Sequence, residues 1–311
     1  MSGSCKVVLA AGIAKRLQAE VAEGLKKLDH PPQVVGFLAN TDPAARMYAD
    51  WTGKTCTDNG FHFDLRVLDK ESLEDAIRAA NQDDSIDGIM VYYPVFNSQR
   101  DRTLQFMVDM RKDVEGLSPH LINNMYQNIR FLDPPLNTQK SILPCTPLAM
   151  IKILEHLQIY NTFLDYGKRL FGRRITVINR SEVVGRPLAA LLANDGAEVY
   201  SVDVTGVQEF TRGKGLRNQQ HEVIDVEGWT LEDCLPLSSV VISGVPGDKF
   251  KVPTHLVRDG AVCINFSSEK VRPFSCRVLS PRTPLTGDRT SPRTSRRKLR
   301  YMSPLSARSL S

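Results

Sequence analysis

Near the start of the chain, Leu9, Ile13, Leu17, Val21, Leu25 and Leu28 recur every three or four positions, which predicts an amphipathic helix ending before Pro31-Pro32. The period then changes. Val34 to Leu38 is a short β-rich run, Asp42-Pro43 opens a helix through about Asn59, and Phe61 to Leu68 alternates as a strand does. Leu73 to Ala80 predicts a helix, and Gly88 to Tyr93 is a nearly continuous apolar run closed by Pro94, as expected of a buried parallel strand. A second helical pattern (Leu148, Ile151, Leu154, Leu157) leads to a linker with Asn161, Asp165 and Gly167. Beyond it the pattern predicts strands at Arg174 to Ile178, Ala197 to Val202, Ser239 to Ser243 and Gly260 to Phe266, with a helix from Pro187 to Ala193. The alternation predicts a two-domain α/β protein whose second domain is Rossmann-like. The expected spans are residues 1–146, 147–266, and a tail over 267–311 in which no apolar period is sustained.

Length supports that division, since 311 residues suffice for about two domains. With 41% hydrophobic and 24% charged residues the chain is neither fibrous nor wholly disordered. No apolar run nears the roughly 20 residues that span a bilayer, and the stretch from Val7 to Ala11 is too short for a secretory signal, so no membrane partner is expected. The cytosol is the default compartment, with the nucleus a second one. Six cysteines (Cys5, Cys56, Cys145, Cys234, Cys263 and Cys276) lie far apart without CxxC pairs or histidines at ligand spacing, which predicts free thiols and no metal site. Charge is uneven: residues 267–311 carry 11 Lys/Arg against 2 Asp/Glu, with ten Ser and five Pro, a composition expected of a basic disordered tail.

The strongest local signal is Ile178-Asn179-Arg180-Ser181-Glu182-Val183-Val184-Gly185-Arg186-Pro187, set between a predicted strand and helix. Such a turn aims backbone N–H groups and a helix N-terminus at a phosphate, and Gly185 permits close backbone approach. Asp203, about 20 residues on, suits the two hydroxyls of an unphosphorylated ribose and repels a phosphate, which favours NAD over NADP; the plainer alternative is a loop cap. Tyr48, Thr52 and Lys54 lie on the helix after Pro43, and Lys112-Asp113-Val114-Glu115-Gly116-Leu117 forms a further cluster. Taken alone, Tyr48 is more often a packing residue and Lys112/Asp113 a solvated face. Leu143-Pro144-Cys145-Thr146-Pro147 sets Cys145 near a helix N-terminus, where the dipole would lower the thiol pKa, although a structural thiol fits equally.

Taken together, "PAARMYADWTGK", "GIMVYYPV", "KDVEGL", "PCTP" and "NRSEVVGRP" resemble, in order and spacing, the methylenetetrahydrofolate dehydrogenase/cyclohydrolase family, and within it the fungal-type monofunctional NAD-dependent members. The resemblance implies an amino-terminal folate domain, a carboxy-terminal NAD domain and a homodimer. It assigns Tyr48 to the pterin side of the pocket, Glu115 to pterin nitrogens and Cys145 to the wall by the reacting carbon, with Cys145 and Tyr48 as catalytic candidates. Tyr48, Thr52, Tyr92 and Glu115 become the folate contacts. Arg180 and Ser181 are expected on cofactor phosphate or ribose, flanked by Asn179, Gly185, Asp203 and Val204, with Asn179 standing where relatives commonly carry Gly.

Bifunctional members place lysine where Thr52 stands, glutamine at Tyr92 and aspartate at Glu115. Lys54 cannot substitute, because two residues turn a helical side chain by about 200°. The expected function is therefore NAD-dependent oxidation of 5,10-methylenetetrahydrofolate without cyclohydrolase activity, in cytosolic one-carbon metabolism that supplies purine biosynthesis. After Phe266 the family's "P-x-T-G" loop is only echoed by Pro284 to Gly287, and the apolar helix expected next is absent from the pattern. The alternatives are an inactive or unstable family member with an aberrant carboxy-terminus, or a binding protein whose basic tail takes RNA or acidic partners.

Overall fold

In the computed structural model, which describes residues 6–8, 11–213, 220–245, 250–266 and 300–302, the chain forms two compact units. One spans residues 14–148; the other is built on the chain from residue 149 onward. Lys6–Val8 (β1) precedes α1 (Ala11–Leu25), which ends a turn earlier than its leucine spacing predicts.

The first unit continues with β2 (Gln33–Leu38), α2 (Pro43–Asp58), β3 (His62–Val67), α3 (Leu73–Gln82), β4 (Gly88–Val91), α4 (Gln99–Met107) and α5 (Pro119–Tyr126). Three parallel strands form its sheet in the order β3-β2-β4. The two-residue period of a strand explains its two cores. Val35, Phe37, Ile89 and Val91 pack with Leu73, Ile77 and Leu104, whereas Leu38, Met90 and Tyr92 pack with Ala45, Ala49 and Tyr48 of α2. Helix α2 starts where the sequence places it, because the Asp42 carboxylate accepts the Ala44 N–H and Pro43 fits the first turn.

In the second unit α6 (Cys145–His156), which begins in the first, leads to β5 (Arg174–Ile178), α7 (Gly185–Asn194), β6 (Glu198–Asp203), β7 (Gly206–Thr211), β8 (Glu222–Asp225), α8 (Leu231–Cys234), β9 (Val240–Ser243), β10 (Val262–Asn265) and β11 (Arg300–Met302). The sheet runs β1-β11-β10-β9-β5-β6-β7-β8, parallel except at β7 and β8. Strand order reverses at β5, since β6 follows on one side and β9 on the other; this is the topological switch point of a doubly wound sheet.

Two expectations change. Lys6–Val8, expected in the first domain, pairs with Arg300–Met302 in the second unit's sheet. Arg300–Met302 in turn pairs with β10, which corrects the reading of residues 267–311 as lacking any packed element. A three-residue strand is too short to show a period, and its partners are remote in sequence. The expected disorder of residues 267–299 and 303–311 lies outside the described residues.

Gly36 lies at the centre of the smaller sheet, where an added Cβ would stand 2.6 Å from Phe63 Cζ and 3.2 Å from Tyr92 Cε2. Gly36→Val is expected to destabilise the protein by about 1–3 kcal/mol through overpacking, read as a lower midpoint in urea at unchanged slope.

Candidate active site

The folate candidates all belong to the first unit. On α2, Tyr48 and Thr52 are one helical turn apart, so both face the strand end carrying Tyr92. The Tyr48 and Tyr92 rings meet edge to face with centroids 5.6 Å apart. Thr52 Oγ1 donates to Tyr48 O at 2.9 Å, a bond back along its own helix. Tyr92 is 3% exposed, and its hydroxyl is buried without a hydrogen bond of ordinary length. Burial raises its pKa strongly.

The next side of the cluster comes from residues 112–118. Asp113, 5% exposed, folds that loop by accepting the Glu115 and Gly116 N–H groups on Oδ1 and the Ser118 N–H on Oδ2. Lys112 Nζ donates to Ala80 O and Asp83 O. The plain reading of this charge pair as a solvated face is thereby corrected: Asp113 folds the loop on itself, and Lys112 ties it to the end of α3. Gly116 has φ +67°, and a Cβ there would stand 2.8 Å from the Leu143 carbonyl carbon, so the loop lies directly on the Leu143-Pro144 backbone.

Glu115 Oε2 accepts the Val91 N–H at 3.1 Å at the end of β4. The residue keeps some contact with solvent, but its carboxyl is enclosed by protein atoms; that desolvation, opposed by the Val91 bond and aided by Asp113, pushes its pKa up to about 8. Cys145 opens α6 with Sγ 3.8 Å from Val114 O. Burial first and the Glu115 carboxyl second push the thiol up to about 12. The expected lowering by the helix dipole is corrected, because desolvation and a neighbouring acid outweigh one helix terminus. Tyr48, Thr52, Tyr92, Glu115 and Cys145 thus share one continuous neighbourhood around the carboxyl end of β4. Tyr93, whose hydroxyl is also buried without a hydrogen-bond partner, was not anticipated.

The cofactor candidates gather at the switch point of the second unit. Asn179 takes φ +90°, a backbone conformation that favours glycine. Its amide donates to Gly244 O at 2.9 Å and accepts the Ser181 N–H at 2.9 Å, tying the β5 exit to the β9 exit. Ser181 Oγ accepts the Gly185 N–H, closing the turn into α7. A Cβ at Gly185 would stand 1.9 Å from Asn179 O, so no other residue fits this turn as built. The Asp203 carboxylate accepts the Arg180 N–H at 2.8 Å and the Val204 N–H at 2.6 Å. Val204 is fully exposed at the tip of the β6–β7 turn.

Arg180 is held by the end of β6 and the turn after it. Its guanidinium turns away from the phosphate turn and donates to Ser201 Oγ, Ser201 O, Thr205 Oγ1 and Gly206 O. Sequence reasoning also missed Gly244 and Ser243, whose buried hydroxyl at the end of β9 has no hydrogen-bond partner; the Ser-Gly pair ending a predicted strand was their available signal. Among the described residues, no His, Cys, Asp and Glu side chains group as metal ligands, and Cys56, Cys145 and Cys234 are free thiols.

Comparison with known proteins agrees with this geometry. The family described as "Tetrahydrofolate dehydrogenase/cyclohydrolase, catalytic domain" matches residues 7–115, and its "NAD(P)-binding domain" matches residues 144–305, well into the basic tail. A methylenetetrahydrofolate dehydrogenase [NAD(+)] of Schizosaccharomyces pombe is 58% identical over 86% of this chain and 83% of its own. The protein of that name from Saccharomyces cerevisiae is 53% identical over 87% of each. The solved NAD-dependent 5,10-methylenetetrahydrofolate dehydrogenase of Saccharomyces cerevisiae superposes with a TM-score of 0.84 at 46% identity, covering 99% of this chain and 94% of that one. With its two catalytic and cofactor regions matched in order, the chain belongs to the tetrahydrofolate dehydrogenase/cyclohydrolase family.

Proposed function

We propose that the chain oxidises 5,10-methylenetetrahydrofolate to the 5,10-methenyl form by hydride transfer to NAD and does not hydrolyse the methenyl product. The observation that carries this reading is Thr52 at the position where the family resemblance puts the hydrolytic lysine, with the Asp203 carboxylate at the end of β6 suited to an unphosphorylated ribose. The names of the two curated relatives point the same way.

Gly185 and the turn it closes, the N-terminus of α7 and the Asp203 carboxylate form a donor and acceptor set suited to a dinucleotide. When bound, NAD supplies the acceptor for a hydride. Departure of that hydride from the bridging carbon leaves an amidinium-like cation stabilised by the adjacent nitrogen's lone pair, so no side chain need take a proton. The protein's work is then to hold the substrate. Tyr48 and Tyr92 present aromatic walls, Glu115 meets pterin nitrogens as a neutral acid at pH 7, and the Cys145 thiol fills the wall beside the reacting carbon.

Hydrolysis of the cation demands more, since a water must be activated and protons moved. Thr52 is poorly placed for either task because its proton is committed to Tyr48 O. Homodimerisation and a cytosolic, secondarily nuclear, role in one-carbon metabolism belong to the same reading.

Two outcomes are expected. Purified protein mixed with NAD and methylenetetrahydrofolate should form NADH, with kcat/KM higher for NAD than for NADP; no reduction of either cofactor, or preference for NADP, overturns the assignment. The Glu115 acid, raised to about 8 by desolvation, is neutral below that pH and charged above it. The profile of kcat/KM for the folate should therefore be flat below about pH 8 and fall above it, and Glu115→Gln, which cannot ionise, should remove the alkaline fall. An identical fall in that variant excludes Glu115 from folate binding.

A further inference from the structure

Arg180 has no part in the hydride chemistry and does not face the phosphate turn, yet it is one of the most heavily bonded side chains in the second unit. Guanidinium offers five N–H donors. Nε donates to Ser201 Oγ at 3.1 Å, Nη1 to Thr205 Oγ1 at 3.2 Å, and Nη2 to both Ser201 O and Gly206 O at 2.7 Å. Four of the five donors are therefore spent on the end of β6 and the turn that follows it. Two of the acceptors are backbone carbonyls on opposite sides of that turn, so the side chain straps the hairpin shut. Gly206 sits at φ +118° and Val204 is fully exposed, so the turn has little packing of its own.

Asp203 lies inside the strapped segment. Its Oδ2 accepts the Arg180 N–H at 2.8 Å, which joins the carboxylate to the strap at the backbone as well. None of the four guanidinium bonds goes to Asp203 itself, so changing Asp203 would leave the strap in place.

We propose that Arg180 is a positioning residue for cofactor selection, fixing the Asp203 carboxylate toward the ribose while withholding its own guanidinium from a 2′-phosphate. The proposal rests on the NAD reading above. A bidentate fork is what makes arginine a strong phosphate ligand, and here the fork is occupied by carbonyls. Selection against the phosphorylated cofactor then has two parts: a carboxylate that repels the phosphate, and an arginine that cannot turn to receive it.

The test is a double-mutant cycle on the full chain, using calorimetric Kd values for NADH and NADPH with kcat and KM measured beside them. Arg180→Met should weaken NADH about tenfold, as expected for loss of a strap of charged hydrogen bonds, and should raise the KM for NAD more than it lowers kcat. In the Asp203→Ser background the same change should cost NADH little, because the carboxylate being positioned is gone. Asp203→Ser alone should gain little NADPH affinity, and adding Arg180→Met should leave that affinity within about threefold, well under the tenfold of 1.4 kcal/mol.

The proposal is overturned if Arg180→Met leaves NADH binding unchanged. It is overturned equally if Asp203→Ser binds NADPH tightly and loses that affinity when Arg180 is removed, because the arginine would then be a phosphate ligand. Should Arg180→Met fail to fold, Thr205→Val removes one acceptor and is expected to shift NADH affinity in the same direction by less; no shift contradicts the strap. Wild-type protein that binds NADPH as tightly as NADH defeats the cofactor reading itself, before any variant is compared.

Discussion

A parallel strand reaches its carboxyl end with backbone donors and acceptors that the next strand no longer pairs, and in both units polar side chains take them up. Asn40 donates to Tyr92 O and Pro94 O beyond β4, while Glu115 accepts the Val91 N–H at its end. Asn179 bridges the exits of β5 and β9, and Asp203 accepts the first N–H beyond the β5 turn residue. Ligands of open α/β sheets bind at these same ends. The groups that finish the ladders and the candidate site groups are therefore largely the same ones, and a change to either affects both.

This overlap explains why bonding capacity, more than residue type, separates the candidates. Asp113 spends both oxygens on its loop, and Thr52 spends its proton on α2. Glu115 spends one oxygen on Val91 and Asn179 uses both ends of its amide, yet the carboxyl of Glu115 stays enclosed enough to hold its proton at neutral pH. What is left over after the fold is satisfied defines what the site can do: it can grip and orient, and it offers no acid–base group at the position of Thr52.

Much of this was legible in the sequence wherever a residue's role is local. Asp42 and Pro43 mark the start of α2, the apolar run from Gly88 marks β4, and Arg174–Ile178 is a strand at the residues expected. Roles set by distant partners were not legible. β7 follows β6 through Val204-Thr205, a turn without the Asn-Gly or Asp-Gly signal of a hairpin, and β11 is three residues long. At the site, the family motifs named residues that the fold brings near one another, but the direction of the Arg180 guanidinium depends on carbonyls more than twenty residues away. The raised thiol of Cys145 depends on a carboxyl that only folding brings beside it.

The central claim is that this chain holds the machinery for one of the family's two reactions, because the position of the hydrolytic lysine is occupied by a hydroxyl already bonded to its own helix. The most direct measurement is the decay of methenyltetrahydrofolate absorbance in weak buffer, with and without the purified protein. General acid–base assistance is typically worth about 10²- to 10⁴-fold, so its presence could not be missed. The account predicts identical decay in both samples; clear acceleration by the protein would contradict it.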